Sequence, residues 1–107
     1  MPILKPKPTL LDLQQYIKDI CAERGWDKNN HLELFLLFSE EVGELAKAIR
    51  NHTGLYAEVE RQHKQTELEE EFADVFAYLL DLANYFNVDL EQAFRDKDTV
   101  NQTRTWD

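Results

Sequence analysis

The sequence predicts an all-α protein, and three observations predict it. The composition is 43% hydrophobic and 31% charged, with only 3 Gly and 3 Pro in 107 residues. That is too apolar for a disordered chain and too poor in turn formers for a many-stranded β protein. Apolar residues recur at helical spacing in successive segments, and each segment is opened by a side chain suited to cap a helix. The length supports one hydrophobic core, so residues 1–107 are expected to form a single domain behind an extended arm, 1–8.

Thr9 follows Pro8 and stands three residues before Asp12, an N-cap with an acidic first turn. The segment continues through Leu13, Tyr16, Ile17 and Ile20 to Gly25, which places a first helix at 9–24. Asn30 stands three residues before Glu33, and Leu34, Leu37, Phe38, Val42, Leu45 and Ile49 keep helical spacing until Thr53 and Gly54; the second helix is placed at 31–52. Thr66 with Glu69 makes a T-x-x-E capping box for a third helix, 67–86, with Asn87 as a left-handed stop. Asp89 with Gln92 opens a fourth, which carries Leu90, Ala93 and Phe94 and turns polar through Lys97, Asn101 and Arg104. Leu55–Gln65 is too polar for a core element and reads as loop or loose helix.

Charge and cysteine usage exclude several functions. Twelve Lys and Arg against 21 Asp and Glu leave a net charge of −9, the wrong sign for gripping a nucleic-acid backbone, so no nucleic-acid partner is expected. The single cysteine, Cys21, leaves no internal disulfide or cysteine-based zinc site and suits a reducing compartment, so a cytoplasmic location is expected. The arm Met1–Pro8 lacks the apolar core of a signal peptide. The most apolar stretch, Phe72–Phe86, is interrupted by Asp74, Asp81 and Asn84 and falls short of the roughly 20 residues of a spanning helix. No membrane association is expected. In that stretch 12 of 15 residues are apolar or aromatic, so nearly every face seeks burial and a second copy of the chain is expected to cover part of it.

Two acidic pairs carry the chemistry. Glu41 and Glu44 are three apart on the second helix, and Glu71 and Asp74 are three apart on the third, so each pair projects from one face. Asp74 lies between Ala73 and Val75 in the most apolar helix, where a carboxylate loses hydration worth several kcal/mol unless a cation restores it. If the two helices pack antiparallel, four carboxylates converge, and they repel unless protonated or bridged by metal. Oxygen ligation without His or Cys selects a hard cation, most simply Mg²⁺ with Mn²⁺ as a substitute, and Mg²⁺ commonly shares its shell with substrate phosphates. The plain alternative is that acidic residues three apart decorate solvated helix faces.

These residues also resemble a family pattern. Glu40-Glu41-Val42-Gly43-Glu44, followed after the 26 residues from Leu45 to Glu70 by Glu71-Phe72-Ala73-Asp74, is similar to the EExxE and ExxD motifs of MazG-like all-α nucleoside triphosphate pyrophosphohydrolases. Lys97, Asn101 and Arg104 resemble the K-x-x-x-N-x-x-R tail of the dCTP pyrophosphatase branch. The resemblance implies a four-helix MazG-like bundle assembled as a homodimer or homotetramer. It also implies hydrolysis of a nucleoside triphosphate between the α and β phosphates, giving a monophosphate and pyrophosphate. Carried over, Glu41, Glu44, Glu71 and Asp74 hold Mg²⁺, and Glu40 or Glu44 accepts the proton of the attacking water. Tyr78 matches a position near sugar and base, Lys97 and Asn101 match positions near phosphate and ribose, and Trp26 resembles a base-stacking aromatic. Read without the family, Tyr78 is an ordinary core tyrosine, Lys97 and Asn101 are solvated polar residues, and Trp26 caps the helical bundle.

Two rival readings are weighed against this. A redox di-metal bundle needs E-x-x-H on two helices, and the chain offers one, Glu60 to His63. A noncatalytic acidic helical module would dock a partner through the apolar third helix and tolerate neutralisation of Asp74.

Overall fold

A computed structural model describes residues 1–56 and 65–104. They contain four α-helices, α1 (Leu10–Arg24), α2 (His31–Thr53), α3 (Gln65–Tyr85) and α4 (Leu90–Gln102), and no strand among the described residues. The start signals act through the backbone donors that a first helical turn leaves unpaired. Thr9 Oγ1 accepts from the Asp12 N–H at 3.1 Å while Asp12 Oδ2 accepts from the Thr9 N–H at 3.0 Å, a reciprocal box opening α1. Asn30 and Glu33 make the same exchange at the start of α2, both bonds at 2.9 Å. Asp89 Oδ1 accepts from the Gln92 N–H at 3.0 Å to open α4.

The stops lie where left-handed backbone is available. Gly25 ends α1 at φ 73° and Gly54 ends α2 at φ 81°, conformations that cost a glycine little. Asn87 takes φ 56° after α3, and the following Val88 N–H donates back to Ala83 O at 2.9 Å. One expected start differs. Helix α3 already runs from Gln65, so Thr66 is a helical residue and not an N-cap. The Gln65 side-chain amide donates to Glu69 Oε1 at 3.1 Å, a pair four apart that supports the earlier start. At the other end α4 closes at Gln102, which leaves Arg104 beyond the helix, its N–H donating to Asn101 O at 3.2 Å. Most of the Leu55–Gln65 connector, including Glu60 and His63, lies outside the described residues.

The chain divides into two compact units, Met1–Lys28 with Leu80–Asp107, and Asn29–Leu79. In the first, α1 packs against α4, and Gln14, Cys21, Leu80 and Ala83 are buried. Burial, and secondarily the Asp81 charge, pushes the Cys21 thiol up to about 11, so it stays protonated and unreactive at neutral pH. Asp81 itself is half-buried, and burial raises its carboxyl above the ordinary range.

In the second unit Leu34, Ala48 and Asn51 are buried. Here α2 and the first part of α3 carry large exposed apolar side chains. Phe72, Phe76 and Leu79 form a stripe at helical spacing and are 55%, 41% and 40% exposed. Leu32, Phe35 and Leu36 on α2 are more exposed still. Among the described residues, no helix is long and apolar enough to cross a membrane.

Candidate metal centre

The acidic cluster is built inside the second unit. Helical spacing of three puts Glu71 and Asp74 on one face of α3, and α2 brings up Glu41. One carboxylate oxygen from each of Glu41, Glu71 and Asp74 lies within 4.8 Å of the others. Glu41 and Glu71 are partly buried and Asp74 is exposed. At that separation two full charges repel by roughly 3 kcal/mol at an effective dielectric of about 20.

Burial and this crowding act on two of the three carboxyls. Burial, then the Asp74 charge, raises the Glu41 carboxyl above its ordinary 4.5. The Glu71 carboxyl is raised too, by burial first and then by Glu41. The side-chain interaction between them opposes the rise at Glu41 and adds to it at Glu71. Glu44 stands outside the tight group of three, one turn along α2, yet its charge contributes to both shifts.

The donor chemistry suits a divalent cation. Every side chain in the group offers carboxylate oxygen, and Glu71 Oε2 is shut away from solvent without a hydrogen-bond partner. A buried carboxylate oxygen left in that condition costs free energy, and a hard cation is the partner that also cancels the repulsion.

The MazG nucleotide pyrophosphohydrolase domain model matches residues 29–101, a stretch that contains all of these carboxylates. The chain belongs to the MazG nucleotide pyrophosphohydrolase family. It is similar to dCTP pyrophosphatase 1 of Mus musculus, 34% identical over 102 residues, and of Homo sapiens, 35% identical over 104 residues. Each match covers 92% of this chain, and the chain spans only 60% of the length of those relatives. The uncharacterized protein YvdC of Bacillus subtilis (strain 168) is 30% identical over 91 residues, covering 80% of this chain and 86% of YvdC.

The remaining sequence candidates of this MazG domain fall as follows. Tyr78 lies one turn beyond Asp74 on α3 and is half-buried. Lys97 and Asn101 sit four apart on α4, Lys97 exposed and Asn101 with its Oδ1 buried and unpartnered. Trp26 precedes the matched stretch, is 55% exposed, and carries the Arg24 guanidinium 4.9 Å from its ring centroid. Helix start, stop and acidic-pair signals do not single out Gln14 or its partner Asn84. Gln14 occupies a core position of the α1 stripe, between Leu13 and Ile17, and a polar residue at such a position is the signal that could have found it.

Proposed function

We propose that this chain is a Mg²⁺-dependent nucleoside triphosphate pyrophosphohydrolase, cleaving between the α and β phosphates of a (deoxy)nucleoside triphosphate to give a monophosphate and pyrophosphate. The observation that carries the reading is the approach of Glu41, Glu71 and Asp74 within 4.8 Å in a MazG domain. Glu41, Glu71 and Asp74, with Glu44 alongside, would hold Mg²⁺, and Mn²⁺ would substitute. Bound there, the ion supplies charge neutralisation to the triphosphate and lowers the barrier to attack by water.

The chain's own residues do the rest. Glu40 or Glu44 takes the proton of the attacking water, a general-base role open to a carboxylate within reach of it. Lys97 supplies positive charge for phosphate, and Asn101, one turn further along α4, pairs with the ribose. Tyr78 and Trp26 offer ring surface to the sugar and base. The relatives' name, dCTP pyrophosphatase 1, supports dCTP as substrate, with a modified nucleotide as the other candidate. The exposed Phe72, Phe76 and Leu79 stripe supports a homodimer or homotetramer, and the reducing-compartment cysteine usage supports a cytoplasmic place in nucleotide-pool control.

Incubation of the protein with a panel of canonical and modified triphosphates and Mg²⁺, with products separated by ion exchange, tests this. Equimolar monophosphate and pyrophosphate are expected from at least one nucleotide. Release of orthophosphate and a diphosphate, or no turnover on any of them, would overturn it.

A further inference from the structure

We infer that Gln14 is a positioning residue for substrate binding, fixing the origin of α4 and thereby the face that carries Lys97 and Asn101. The inference rests on the proposed function, which gives that face to the nucleotide.

Gln14 is 4% exposed and uses both ends of its amide. Nε2 donates to Val88 O at 2.8 Å and to Asn84 Oδ1 at 3.2 Å. Oε1 accepts from the Leu90 N–H at 2.9 Å, and Asn84 Nδ2 returns a bond to the Gln14 carbonyl at 2.9 Å. One side chain thus ties α1 to the end of α3, to the turn after it and to the first residue of α4. The Leu90 N–H is a first-turn donor with no partner inside its helix, so Gln14 supplies what the helix lacks.

Helix α4 packs against α1 only shallowly. None of its residues is buried, and Phe94 and Val100 are 72% and 50% exposed. With only that shallow packing against α1, directional hydrogen bonds at its start are what fix its orientation. Asn101 lies 11 residues after Leu90, about 16 Å along a helix, so a tilt of roughly 5° at the origin moves it by on the order of 1 Å. A shift of that size at a binding group is enough to lose its contact.

The test is steady-state kinetics on wild type, Gln14→Met, Gln14→Glu and Asn84→Ala, with Mn²⁺ affinity measured on the nucleotide-free proteins and amide hydrogen exchange read at Leu90. Gln14→Met removes every bond of the amide at nearly constant volume, and KM is expected to rise roughly tenfold. The kcat is expected to change less than about threefold. Leu90 exchange should accelerate while Mn²⁺ affinity stays as in wild type. Gln14→Glu keeps the acceptor for Leu90 but sets a buried carboxylate oxygen against Val88 O and Asn84 Oδ1, so its KM should rise at least as far as that of the methionine variant. Asn84→Ala, which leaves the bonds to Val88 and Leu90, should give a KM between wild type and Gln14→Met and decides the matter if the Gln14 variants do not fold. An unchanged KM, or a joint fall of kcat, nucleotide affinity and Mn²⁺ affinity, would overturn the positioning role. A wild type inactive on every triphosphate would instead overturn the functional reading and this inference with it, an outcome distinct from an active wild type indifferent to Gln14.

Discussion

Asp74→Asn is expected to lower kcat/KM for triphosphate hydrolysis by at least roughly 100-fold, because a carboxylate that helps hold the cation supplies several kcal/mol of transition-state stabilisation. The same change should raise the Tm of the metal-free protein. Asp74 lies in the tight acidic group, and its charge is the second-largest cause of the raised Glu41 carboxyl. Removing it relieves part of the repulsion acting on Glu41. Activity and stability therefore move in opposite directions, as happens where repelling groups are assembled for function. Parallel measurement of pyrophosphate release and thermal unfolding without metal checks both halves. A variant as active as wild type would favour a noncatalytic acidic module.

Mg²⁺ is expected to stabilise the protein, and by more at pH 7.5 than at pH 5. At a free concentration about 100 times Kd the gain is about 2.7 kcal/mol, a rise in Tm on the order of 10 °C for a chain of this length. The pH dependence follows from the raised carboxyls of Glu41 and Glu71. A carboxyl raised in the folded state contributes stability that is complete below its unfolded value, ordinarily 4.5, and is lost as pH rises through the folded value. The contribution of these two carboxyls without metal therefore falls as pH climbs above 4.5, while the cation binds only the ionised groups. Above the raised values Mg²⁺ restores what ionisation removed; near pH 5 it must displace protons first. Thermal melts with Mg²⁺ and with EDTA at the two pH values measure this, and an equal Mg²⁺ effect at both would contradict it.

Local chemistry made most of the fold legible. Thr9, Asn30 and Asp89 cap helices because the bond each makes spans three residues and needs nothing from elsewhere. Gly25, Gly54 and Asn87 stop them through backbone conformations that few residue types tolerate. Thr66 misled because a T-x-x-E box competes with continuation of the helix, and Gln65 paired with Glu69 takes the continuation.

The candidate site was legible only in its parts. Spacing shows that Glu41 with Glu44, and Glu71 with Asp74, share helix faces, but which carboxylates meet depends on how α2 and α3 pack, and that places Glu44 outside the tight group. The place of Gln14 in the α1 stripe hints at its burial, but its partners are illegible for the same reason: they lie at sequence separations of 70, 74 and 76, and no local pattern encodes them.

Crystals grown with Mn²⁺ and examined at the manganese absorption edge put the central claim to its most direct test. An anomalous peak within coordination distance of oxygens from Glu41, Glu71 and Asp74 is the predicted result. Manganese bound elsewhere, with those carboxylates turned apart, would contradict it.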